Sequence, residues 1–380
     1  MKPEHSVPVS PGQAAPFRPA QTVLVMQGGG ALGAFHQGVY QALHEGGREP
    51  DWVIGTSIGA INAALIAGNR PPDRLARLQA FWQRVLTHNP VPVAANWWPG
   101  AAALAQWQHS AGVVAGGIPG FFVPRLGSWI NPRQPVGIEA AAYYDTGPLR
   151  HTLNELVDFA YLRHSPIRIT VGAVNARTGQ MRYFDSRDEP IGVEHILASG
   201  ALAPAFGAVR IDGDPYWDGG LYSNTPIEAV LDDQPRRHSL IFACQLWEPH
   251  GDEPRSLWEV QERLKDIQFA SRARSHLERQ QQLHQLRHIV RQLARKLPDD
   301  PEAQALGAWG CGTVMQIVNL MVPHLPGEDQ TKDIDFSPHG VQQRAAAGLA
   351  LGRQALLAQP WNEARAPLDG VCVHPMHLAV

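Results

Sequence analysis

A chain of 380 residues is long enough to bury a large core, as one big domain or two smaller ones. Its 32 Lys and Arg against 35 Asp and Glu give a formal net charge of -3, which offers no reason to expect nucleic acid as a partner. The three cysteines, Cys244, Cys311 and Cys372, stand far apart in no metal or redox spacing, which argues against a disulfide framework and for a reducing, cytoplasmic setting.

Residues 1–21 are rich in proline and lack an apolar core, so they read as a disordered lead-in rather than a signal peptide or anchor. No apolar run reaches membrane-spanning length. Thr22–Met26 is the first strand, followed by Gln27-Gly28-Gly29-Gly30-Ala31-Leu32-Gly33 and a helix over Ala34–Glu45 that Gly46-Gly47 stops. Trp52–Ile54 reads as a buried strand leading through Gly55-Thr56-Ser57-Ile58-Gly59 into a helix over Ala60–Ala67. Strand, glycine loop, helix, strand, turn and helix form the pattern of a parallel sheet flanked by helices. Pro72–His88 reads as an amphipathic helix. From Asn89 to Ala142 no regular element is legible. Trp97, Trp98, Trp107, Phe121, Phe122 and Trp129 lie there among Gly, Pro and Ala, as a lid or acyl-binding wall or as a satellite core of short helices.

The α/β pattern resumes with a helix over Asp145–Ala160, with Thr146 as its N-cap and Pro148 in its first turn. Ile167–Val174 and Met181–Asp185 form a hairpin, Val193–Ser199 a short helix, and Val209–Ile211 with Tyr216-Trp217 flank the turn Asp212–Pro215. Pro226–Leu231 starts a helix and Ser239–Leu246 is a buried strand. Ser256–Leu297 is a long polar helix whose second half carries Arg272, Arg274, Arg279, Arg287, Arg291, Arg295 and Lys296. A stripe of Leu277, Leu283, Leu286, Ile289, Val290, Leu293 and Leu297 would pack it on the surface, and a membrane-surface role is the alternative. Val314–Val322 is a further strand, Ser337 and Pro338 open a last helix over Val341–Ala358, and the tail after Trp361 reads as irregular.

The chemistry centres on Gly55-x-Ser57-x-Gly59. A strand turning straight into a helix puts the middle residue on a strained corner, with its hydroxyl exposed at a helix N-terminus. The plain alternative is a helix N-capped by Ser57 or Thr56. Serine needs a base, and Asp218, followed by Gly219, Gly220, Asn224 and Pro226, is the best candidate, although Asp-Gly commonly only makes a turn. Bare amides at Gly28, Gly29 and Gly30 would hold an oxyanion. Gly28, Gly30 and Gly33 also fit a dinucleotide fingerprint, but the acid that reading needs is missing: Asp51 is at the wrong end of the next strand. A Ser-His-Asp triad would need a histidine such as His195 or His238, neither of which sits in a motif.

The glycine loop, the Ser57 elbow and Asp218-Gly219-Gly220 with Asn224 and Pro226 resemble, in order and spacing, the patatin-like phospholipase family. The resemblance implies a three-layer α/β/α fold with a mostly parallel central sheet, Ser57 as nucleophile, Asp218 as general base, and Gly28, Gly29 and Gly30 as the oxyanion loop, with Gly33, Gly55, Gly59, Gly219, Gly220 and Asn224 in support. It implies a catalytic domain over 22–246 with the insertion at about 89–142, and a helical C-terminal extension over 247–380 packed on that domain. The segment after Leu246, including Lys332–Ser337, looks like the C-terminal extension of a bacterial subgroup. The implied activity is hydrolysis of lipid acyl esters without cofactor or metal. Many members have a basic residue where this chain has Leu32, so a hydroxyalkanoate polyester stands beside phospholipid as substrate. Contact with a membrane or lipid-granule surface suits either. A non-catalytic scaffold that binds partners through Ser256–Leu297 is the reading from another class.

Overall fold

A computed structural model describes residues 16–87, 112–325, 328–364 and 368–378. Uninterrupted runs such as Thr-Val-Leu-Val-Met and Leu-Ile-Phe-Ala-Cys need burial on both faces, and a central parallel sheet supplies it. In chain order the main elements are β1 (Gln21–Met26), α1 (Ala34–Glu45), β2 (Trp52–Gly55), α2 (Ile58–Ala67), α3 (Arg74–Arg84), β3 (Val123–Pro124), β4 (Tyr144–Asp145), α4 (Gly147–Leu156), β5 (Arg168–Asn175) and β6 (Met181–Asp185). There follow α5 (Val193–Ser199), β7 (Val209–Ile211), β8 (Asp214–Asp218), β9 (Ser239–Gln245), α6 (Leu257–Lys296), β10 (Met315–Met321), α7 (Pro338–Ala358) and β11 (Val371–Met376). The sheet runs β11-β10-β9-β1-β2-β5-β8-β7, with β6 also on β5, while β3 and β4 form a separate pair. From β11 to β5 every pairing is parallel; β6, β7 and β8 join antiparallel.

Register at β5 positions the site. Val171 pairs with Gly55, the last residue of β2, on one edge and with Phe184 on the other. Two residues further, Ala173 pairs with Arg182 of β6 and with Asp218 of β8. Antiparallel β8 therefore takes the edge that β2 vacates, and its last residue arrives where the chain leaves β2 for α2.

Alternate residues of the strands feed two cores. Leu24, Met26, Val53, Leu240 and Phe242 face α1, α2 and α7, and Val23, Val25, Trp52, Ile54 and Ile241 face residues 227–231 and Leu277 of α6. This is the three-layer α/β/α arrangement. Helices α1 and α7 approach so closely that a β-carbon on Gly38 would overlap the Ala345 carbonyl, and one on Gly348 the Phe35 carbonyl.

Several boundaries differ from the sequence reading. Residues 16–21 are placed rather than a loose lead-in: the Phe17 N–H donates to Asn362 at 3.0 Å and Gln21 begins β1, while residues 1–15 lie outside the described set. Residues 89–111 of the insertion, including Trp97, Trp98 and Trp107, also lie outside it. The helix expected over Asp145–Ala160 ends at Leu156; Thr146 makes no side-chain cap bond, and Asp145 instead accepts from the Gly147 N–H at 2.7 Å. The region after 246 is helical in α6 and α7, yet it also adds β10 and β11 to the sheet. The tail is therefore not irregular: Val371–Met376 is an edge strand, where Pro375 costs no interior hydrogen bond. Helix α6 starts as expected, with Ser256 and Glu259 exchanging cap bonds. Its apolar stripe is only partly the inner face: Leu277 packs on the second core and Leu283, Ile289 and Val290 are half-buried. Leu286, Leu293 and Leu297 are exposed, while His284 and His288 are buried and bond the carbonyls of Leu231 (3.2 Å) and Thr313 (2.7 Å).

Candidate active site

Ser57 has φ 56° and ψ -125°, a left-handed backbone that costs a non-glycine residue about 1–3 kcal/mol. The surroundings hold it there. The Ser57 N–H donates to the Ser199 carbonyl at 3.1 Å and to its hydroxyl at 3.1 Å, and the Ser199 hydroxyl donates to the Gly172 carbonyl at 2.7 Å. Gly59 lies against the Met26 carbonyl, Gly55 against Gly59, and Gly33 against Ile58, so none leaves room for a β-carbon.

Asp218 is fully buried at the end of β8; its carboxyl accepts from the Gly220 N–H at 2.7 Å and lines one cavity with Ser57. Burial pushes its pKa up from 3.8 to about 7, with the nearby Ser57 hydroxyl and the Gly220 N–H opposing the shift. Gly219 fits under the Gly172 carbonyl, where a side chain could not.

The glycine loop is fastened by long-range bonds. Gly28 donates its N–H to the Asn224 carbonyl at 3.1 Å, and its own carbonyl accepts from Asn224 Nδ2 at 3.0 Å and Trp247 Nε1 at 2.8 Å. The Gly28 amide is thus spent inside the protein, which corrects the expectation of three oxyanion donors. The amides of Gly29, Gly30 and Ile58, the first residue of α2, have no protein partner among the described residues. Gly30 has φ 55°, which suits glycine.

Gln27, which the sequence reading passed over, is buried and ties the loop to three other segments. It accepts from the Leu246 and Trp247 N–H groups and donates to Thr225 Oγ1 at 2.7 Å and to the Phe269 carbonyl at 3.3 Å. Ser199 and Trp247 were missed in the same way, because their partners are remote in sequence and leave no local pattern.

Ser57 and Asp218 share a cavity of about 190 Å³, walled largely by apolar side chains such as Ile61, Val113, Phe121, Phe122, Phe206 and Phe336. Phe121 and Phe122 both line this cavity and belong to the main core, a mixture of the two readings of the insertion, whereas Trp129 packs at a tilt on Tyr143 at 4.8 Å outside it. No lysine, arginine or histidine is among the described lining residues. His195 packs edge-on to Phe184 at 4.7 Å, and His238 accepts from the Val314 N–H at 3.0 Å, so neither reaches Ser57. Asp51 accepts from the Thr22 N–H at 2.7 Å, at the other end of the strands from the glycine loop, which leaves the dinucleotide reading without its acid.

Residues 24–231 match the family model for patatin-like phospholipase, and residues 267–368 match a second model described as patatin phospholipase. Over 70 residues the chain is 43% identical to patatin-like phospholipase domain-containing protein 6 of Homo sapiens and of Mus musculus. That match covers 18% of this chain and spans only 5% of those relatives' length. VipD from Legionella pneumophila superposes over 90% of this chain and 67% of its own, with a TM-score of 0.38 and 15% identity. ExoU in complex with SpcU from Pseudomonas aeruginosa superposes over 90% and 77%, with a TM-score of 0.29 and 18% identity. Both superpositions are loose, and the fold stands on its own sheet order.

Proposed function

The chain belongs to the patatin-like phospholipase family, and on that premise we propose that it is a serine acyl-ester hydrolase working through Ser57 and Asp218. The observation that carries the reading is a strained serine and a fully buried carboxylate lining one apolar cavity. As Ser57 Oγ attacks the ester carbonyl, Asp218 takes its proton and passes it to the departing alcohol. The developing oxyanion is held by the amides of Gly29 and Gly30, with the N-terminus of α2 adding positive potential. Water then gives its proton to Asp218 and attacks the acyl-enzyme, and the proton returns to Ser57 as the acid leaves.

The apolar wall suits a long acyl chain. A second substrate reading draws on Leu32, which is buried in the core where many relatives carry a basic residue, and on the lack of basic groups among the described lining residues. Both favour a neutral ester or a hydroxyalkanoate oligomer over a phospholipid. Purified protein assayed against phospholipids, nitrophenyl esters and hydroxybutyrate oligomers separates these substrates. The Ser57→Ala variant should lose at least about 10³-fold in rate on whichever is cleaved, with an unchanged circular dichroism spectrum. Activity retained in that variant overturns the mechanism.

A further inference from the structure

We infer that the turn Lys332–Phe336, from the region after β10, sets acyl-length selectivity at the Ser57 cavity through Ile334 and Phe336, with Lys332 as the positioning residue that seats it. The inference rests on the ester-hydrolase reading above.

The turn touches the catalytic loop directly. A β-carbon on Gly30 would overlap the Asp333 carbonyl, so that carbonyl lies on the backbone of a proposed oxyanion donor. Asp333, Ile334 and Phe336 line the same cavity as Ser57. Phe336 is buried, stacks on Trp82 at 6.1 Å and meets Phe121 at 5.9 Å; its carbonyl accepts from the Thr87 N–H at 3.0 Å. Ile334 is half-buried and packs against the large core, so its size can vary without rebuilding that core.

What holds the turn comes from α6. The buried Lys332 ammonium lies 2.9 Å from Asp266 and 3.1 Å from Glu262, and 5.7 Å from the Trp247 ring centre. Lys265, one residue from Asp266, donates to Asp333 at 2.6 Å and to the Gln330 carbonyl at 2.8 Å. The same helix presents the Phe269 carbonyl to Gln27 and Asn224, and Trp247 donates to Gly28. One stretch of α6 therefore braces both the glycine loop and the turn that closes the cavity over it. A buried ion pair is costly to break from one side, so Lys332 fixes where Ile334 sits.

The test compares full-length wild type with Ile334→Trp and Ile334→Ala. The measured quantity is the ratio of kcat/KM for eight-carbon and four-carbon nitrophenyl esters. The ratio should fall about tenfold or more in Ile334→Trp and rise in Ile334→Ala, since one methylene in an apolar pocket commonly changes selectivity by about tenfold. Lys332→Met should move the ratio in the direction of Ile334→Ala, and Lys332→Arg should restore it, which a purely structural lysine would not do. A parallel readout needs no turnover. In the Ser57→Ala background, displacement of bound cis-parinaric acid by saturated fatty acids should show the preferred length shortened by Ile334→Trp. A shifted binding preference with no ester cleaved by wild type would retain the inference and remove the hydrolase reading. Folded Ile334 variants with the wild-type ratio and binding order would overturn the inference.

Discussion

Ser57 and Asp218 impose opposite demands that only the surrounding fold reconciles. The serine needs a backbone that its own side chain disfavours, and Ser199 supplies the two acceptors that keep it there. On the proposed mechanism the aspartate needs burial deep enough to become basic without losing its charge at working pH. With its pKa raised from 3.8 to about 7, kcat/KM should climb with pH and level off above about 7, since only the carboxylate can take the serine proton. A profile already flat at pH 5 would contradict that role. The same shift has a stability consequence. A folded pKa above the unfolded value gives stabilisation that is complete below about pH 4 and is lost as pH rises through about 7. Asp218→Asn, which does not titrate, should therefore gain on wild type between pH 4 and pH 8 by a few kcal/mol, read as a growing difference in urea midpoint. The sharp turns at Ser57 and Asp218, which the structure brings to one cavity, were legible because glycines at fixed offsets announce a backbone that tolerates no side chain. Gln27, Ser199 and Trp247 were not: each is an ordinary polar or aromatic residue until its remote partner is known.

Most elements follow from periodicity and caps. Ser256 with Glu259 and Ser337 with the Gly340 N–H cap the two long helices as their sequences require. Where legibility failed, a local signal competed with a contact from elsewhere. Thr146 holds the N-cap position of α4, but its side chain makes no cap bond and Asp145 makes one instead. The apolar stripe of α6 supplies only part of its inner face, with Leu277 on the core, and two histidines that satisfy carbonyls of neighbouring segments fill the rest of it. The crossing of α1 and α7 left its trace as glycines, Gly38, Gly348 and Gly352, which no amphipathic count would flag. Gly348→Val should lower stability by about 3 kcal/mol, the upper end of overpacking costs, seen as a lower urea midpoint at unchanged slope. A midpoint equal to wild type would mean that the helices do not meet there.

At the scale of the whole molecule, the segments named as catalytic domain and extension share one sheet and one site. The parallel β1–β2–β5 core and its elbow were readable, but the order in which later strands join a sheet is written in no local pattern. β10 pairs along all of β9, β11 pairs with β10, and Trp247, Phe269 and the turn at 332–336 complete the surroundings of Gly28–Gly30. A chain ending at Leu246 should therefore fail to yield a monomeric, cooperatively unfolding protein, because β9 becomes a bare edge and the glycine loop loses its braces. A soluble, active fragment 1–246 would refute that integration. The central claim, that residues from the start and middle of the chain form one activated serine, is tested most directly by mass-mapped labelling with an alkyl fluorophosphonate at pH 8. One adduct on Ser57 is predicted in wild type, none in Ser57→Ala, and labelling about 10²-fold slower in Asp218→Asn. Adduct on another residue, or equal rates in wild type and Asp218→Asn, would contradict it.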